Sequence, residues 1–65
     1  MVDVNSITDW HWFKRQLMMD ESGWTDEFVK YCRMTYSSEV GEGLLLHEAI
    51  AFKRGFESAM NIYRD

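Results

Sequence analysis

The chain is 65 residues long, with seven Lys or Arg against eleven Asp or Glu for a formal charge of −4, 46% hydrophobic residues and 15% aromatics. One domain fits that length and a large enzyme with a deep cleft does not, since a chain of about 60 residues hides only about 60% of the surface its unfolded form exposes. The apolar and aromatic content excludes intrinsic disorder, and one cysteine, Cys32, excludes an internal disulfide.

The first predicted element is a helix over about 7–20. Asn5, Ser6 or Thr8 can accept from the free N–H groups of its first turn, and Ser6 with Asp9 approximates a capping box. Trp10, Phe13 and Leu17 fall at i, i+3, i+7 and form its apolar stripe. Ser22-Gly23 marks its end. A second helix is predicted over about 25–36, with Thr25 as cap and Asp26 and Glu27 complementing the positive end of the dipole. Phe28, Tyr31, Cys32 and Thr35 are its expected buried positions, and Asp26 and Lys30 are spaced for an i, i+4 ion pair.

Ser37 to Gly43 reads as a loop, followed by the longest helix, over about 43–64. Leu45, Ala49, Phe52, Phe56, Ala59 and Tyr63 are spaced 4, 3, 4, 3, 4 along it, a heptad seam too short for a free coiled coil and suited to a core-facing helix. Leu44, Ala51, Gly55 and Ile62 form a second row, in which Gly55 suggests close approach of another backbone. The expected fold is therefore all-α: a compact three-helix domain with a long C-terminal amphipathic helix. Its core packs Trp10, Phe13 and Leu17 against Phe28, Cys32, Phe52, Phe56 and Ala59.

Catalytic chemistry finds little footing. His47-Glu48 begins like a zincin motif, but Ala51 stands where its second histidine is needed. Structural zinc takes four ligands where Cys32, His11 and His47 offer three, so no metal and no cofactor is expected. Cys32 lies on the inner face of its helix and reads as an inert buried thiol despite Lys30 and Arg33 nearby. His11 and His47 read as surface residues. Gly41-Glu42-Gly43 lacks the third glycine, the preceding strand and the lysine of a phosphate loop. The chain is read as a non-enzyme.

A duplex reader should carry a basic stripe. Here the basic residues are scattered as Lys14-Arg15, Lys30, Arg33, Lys53-Arg54 and Arg64 in an acidic chain, so nucleic acid is not the expected partner. The alternative function is a nucleic-acid-associated protein or an acidic mimic of nucleic acid. Apolar runs such as Leu44-Leu45-Leu46 are far below the roughly 18 residues needed to cross a bilayer. No basic-then-apolar leader opens the sequence, and the lone cysteine suits a reducing compartment. The expected location is the cytoplasm, away from membranes.

Protein binding suits the residues best. At about 100° per residue, Trp12 and Met19 point away from the Trp10–Phe13–Leu17 stripe, and Leu46 and Ile50 lie outside the main apolar arc among Lys53, Arg54 and Glu57. So short a chain cannot bury all of them, and large apolar groups left outside a minimal core mark contact surfaces. Trp12, Met19, Leu46 and Ile50 are the candidate contact residues, toward another protein or a second copy of the chain.

The run Glu48-Ala49-Ile50-Ala51-Phe52-Lys53-Arg54-Gly55-Phe56-Glu57-Ser58-Ala59 is similar to the closing helix of short accessory proteins of tailed bacteriophages. There an aromatic, a glycine and a second aromatic followed by an acid recur. The likeness covers about a fifth of the chain and transfers no functional residue. It implies a protein made in an infected bacterium, which binds and blocks or redirects a host enzyme or defence complex without catalysis.

Overall fold

The computed structural model describes residues 1–64, with side chains to Met60. It is an all-α domain carrying one small strand pair. In chain order these are β1 (Val2–Asp3), a 3-10 helix (Val4–Asp9), α1 (His11–Met19), α2 (Trp24–Thr35), β2 (Glu39–Val40) and α3 (Glu42–Arg64).

The N-terminal segment departs from the predicted helix start. Asp3, not Ser6, caps the first turn, its carboxylate accepting from Asn5 N–H at 2.9 Å, and Ser6 breaks the helical geometry at φ −123°, ψ 25°. The 3-10 helix places Val4 and Ile7 inward, and Val2 joins them in the core from β1. β1 pairs antiparallel with β2, Val2 opposite Val40, and Val4 N–H extends the ladder to the Ser38 carbonyl at 2.8 Å. The expected loop at 37–43 therefore contains a strand that holds down the first residues of the chain. Strands this short carry no periodicity that sequence could display.

α1 starts only at His11, because Trp10 is extended, and its carbonyl accepts the first helical bond from Lys14 N–H. The helix ends at Met19 and the chain turns through Gly23, whose φ of 85° lies in the left-handed region that favours glycine. Thr25 is not the cap of α2. It lies inside the first turn and is buried, while Asp20 reaches forward to accept from Gly23 N–H, Thr25 N–H and the Thr25 hydroxyl. Lys30 pairs with Glu27 at 3.4 Å rather than with Asp26, and both groups are solvated.

Phe13, Trp24, Phe28, Ile7, Leu45 and Cys32 are fully enclosed. Phe13 meets Trp24 edge-on at 5.9 Å, and Phe28 reaches Phe52 of α3 at 5.5 Å. Burying a side chain of this size is worth roughly 1.5–3 kcal/mol, so these rings dominate the stability of a small core. Trp10, Phe13, Phe28 and Cys32 are core residues as expected, with Phe52 and Phe56 half-buried at its edge.

Four expectations fail on burial. Leu17 is 38% exposed, and Tyr31, Thr35 and Ala59 are also on the surface. α1 is only nine residues long, so Leu17 lies in its final turn, at the edge of the packed layer. Ala59 comes after Ala49, the last enclosed residue of α3 among the described side chains. In the second row, Leu44 and Ala51 are exposed, and a Cβ built on Gly55 would meet nothing within 4 Å, so no backbone approaches there. The side chains of Ile62 and Tyr63 lie outside the described residues.

Candidate functional site

α2 packs along α3 and α1 packs on the 3-10 helix. α1 therefore lies beside α3 without closing on it. Two side-chain contacts reach α3 near the two ends of α1, one from Trp10 just before it and one from Trp24 of α2. At the start of α1, the Trp10 indole N–H donates to Glu42 Oε1 at 3.1 Å. Beyond its end, the Lys53 ammonium lies 5.9 Å from the ring centroid of Trp24. Near the first of these pins is a groove of about 360 Å³ lined by Trp10, His11, Trp12, Glu42, Gly43 and Leu46.

The groove is walled by aromatic surface. Trp10 and Trp12 touch at a centroid separation of 5.2 Å with planes inclined by 39°. Trp10 is buried and acts as the fixed wall, whereas Trp12 is half-buried and keeps surface for a ligand. Leu46 supplies the aliphatic side, and Glu42 is the one carboxylate in the lining. Glu42 is exposed and, among the described residues, forms no salt bridge.

Of the four residues singled out from the sequence, Trp12 and Leu46 come together in this groove. Ile50 follows Leu46 one turn further along α3 and is 39% exposed, extending the same flank. Met19 is 67% exposed at the far end of α1 and is not part of the lining. Trp10, His11, Glu42 and Gly43 are lining residues that sequence reasoning assigned elsewhere. Trp10 belongs to the core stripe and also lines the groove, and Glu42 falls within the loop expected at 37–43.

The candidates for chemistry do not assemble. Cys32 is fully buried, and burial first, then the charge of Glu48, push its thiol up to about 11. The nucleophile is the thiolate, and burial disfavours that form here. The Tyr36 hydroxyl donates to Glu48 Oε2, a bond that holds its own proton in place and, with desolvation and the charge of Glu48, pushes the phenol up to about 12. This is a satisfied polar link between the end of α2 and α3. His11 stands exposed in the groove lining and His47 is exposed on α3. Among the described residues no three His, Cys, Asp or Glu side chains gather as a metal site, and no helix is long and apolar enough to cross a membrane. Compared with protein families, curated proteins and solved structures, the chain matches none.

Proposed function

We propose that the protein is a non-catalytic binding module that acts by stoichiometric association with another protein, using the groove between α1 and the start of α3. One observation carries this reading: in a chain with so little interior, Trp12 and Leu46 share an open groove, with exposed Ile50 continuing the α3 flank. Aromatic anchors in such settings concentrate binding energy. On the likeness of the α3 sequence to bacteriophage accessory proteins, the partner is a bacterial host enzyme or defence complex and the site of action is the host cytoplasm. A second copy of the chain is the competing occupant.

The test is quantitative capture from bacterial lysate with wild type, Trp12→Ala and Ile50→Ala, each checked for folding by circular dichroism. Losing a central anchor costs about 2 kcal/mol or more, roughly 30-fold in affinity, so the retained host protein should be lost with Trp12→Ala and weakened with Ile50→Ala. Identical capture and identical sedimentation by all three folded proteins would remove this surface from consideration. DNA binding with a steep salt dependence would instead favour the nucleic-acid reading.

A further inference from the structure

We infer that the group this groove takes from its partner is an arginine side chain. The inference rests on the binding-module reading above and adds the chemistry of the anchor. Three features of the lining converge on it. Trp12 offers indole surface and packs against Trp10, the other aromatic of the lining, at a centroid separation of 5.2 Å. Glu42 stands beside these rings with Oε1 already fixed by the Trp10 indole N–H, which orients the carboxylate and leaves Oε2 with no protein donor among the described residues. Leu46 provides an apolar wall for a methylene stem. The volume, about 360 Å³, lies at the small end of the range for ligand sites, enough for one side chain and too little for a folded element.

Arginine is favoured over lysine by shape and hydration. An ammonium is compact, strongly hydrated and meets the Glu42 carboxylate as a point charge. A guanidinium keeps that charge attraction and adds stacking across an indole face and directed N–H donation into a pre-oriented carboxylate. The net charge of −4 adds a weak general attraction for a basic partner segment.

The probe is N-acetyl-arginine-N-methylamide, titrated into the full chain and followed by the indole N–H resonances of Trp10 and Trp12. Its lysine and citrulline counterparts serve as controls. The expected result is saturable shifts of both indoles with arginine, at least tenfold weaker binding of citrulline and of lysine, and at least tenfold weaker arginine binding by Glu42→Gln. That variant keeps an oxygen for the Trp10 indole N–H and so preserves the fold. Trp12→Leu should lose the response at Trp10. Equal binding of arginine and citrulline, equal binding of arginine and lysine, or an unchanged Glu42→Gln variant would overturn the inference. If the indoles ignore arginine while Trp12→Ala still abolishes capture of the host protein, the arginine anchor falls and the binding module stands. If arginine binds but Trp12→Ala leaves capture intact, the anchor stands and the groove is not where the captured protein docks.

Discussion

The Asp20 carboxylate accepts from three backbone N–H groups, those of Ser22, Gly23 and Thr25, and from the hydroxyls of Ser22 and Thr25. Partial burial alone would push its carboxyl up. The donors, led by the Thr25 hydroxyl and followed by the N–H groups of Thr25, Gly23 and Ser22, outweigh that and hold it at about 2 against the usual 3.8. Because the folded value is depressed, the stabilisation is fully present above about pH 4 and is lost as pH falls through about 2. Asp20→Ala should cost about 1 kcal/mol at pH 6, the usual worth of a helix cap. The difference between wild type and variant in urea denaturation should then shrink steadily from pH 4 to pH 2. A gap that stays constant over that interval would mean that the charge of Asp20 does not hold the turn. Sequence alone misplaced this cap on Thr25 because Thr before Asp26-Glu27 satisfies every local rule. The deciding contact runs five residues, from Asp20 to Thr25, and depends on Gly23 taking φ 85°. Trp24, the largest fully buried side chain, falls outside a helix that starts at Thr25, although Trp24, Phe28 and Cys32 lie at i, i+4, i+8 on the inward face of α2, and its ring packs on Phe13 and Phe28.

At the scale of elements, periodicity located what is long and missed what is short. The heptad seam found α3, and its members Leu45 and Ala49 are completely enclosed. Phe13 of α1 and Phe28 and Cys32 of α2 were legible as inward residues, as was Trp10 just before α1. The β1–β2 pair and the 3-10 helix were not, since two-residue strands and a broken helical turn leave no repeat to detect. Yet they deliver Val2, Val4, Ile7 and Val40 to the core. The candidate site was legible in part: helical angles separated Trp12 and Leu46 from the core arc, but their meeting depends on how α1 is set beside α3, which no single-helix projection contains. Met19 shares the angle of Trp12 and ends up elsewhere, because a shared face does not guarantee a shared neighbour. Gly55 allows a direct check at this scale. The position is helical, exposed and open, so the residue there contributes only its cost in backbone entropy. Gly55→Ala should stabilise the fold by about 0.5–1 kcal/mol in urea denaturation. Destabilisation would restore the idea that another backbone, supplied by a partner, approaches α3 at this point.

For the whole molecule, α3 sets the long dimension. Twenty-three residues at 1.5 Å each span about 34 Å, in a protein measuring 39 × 22 × 17 Å. The Cα radius of gyration, 11.9 Å, exceeds the roughly 10.7 Å of a compact 65-residue domain. Among the described side chains the enclosed residues of α3, Leu45 and Ala49, lie in its first half, Phe52, Phe56 and Met60 are half-buried, and Glu57, Ser58 and Ala59 are exposed. Helix without tertiary packing is marginal at such lengths, so protection of backbone amides should follow that cover. Hydrogen exchange should find the amides of Leu45 to Phe52 opening only with global unfolding, and those of Glu57 to Met60 exchanging at least tenfold faster. Dilution discriminates between origins of any extra protection. If the Glu57–Met60 amides are as slow as those near Ala49 at high concentration and lose that protection on dilution, a second copy covers the end of α3. The competition between self-association and a foreign partner is then decided on that helix, away from the groove. If they are slow at every concentration, the packing gradient along α3 does not govern its opening.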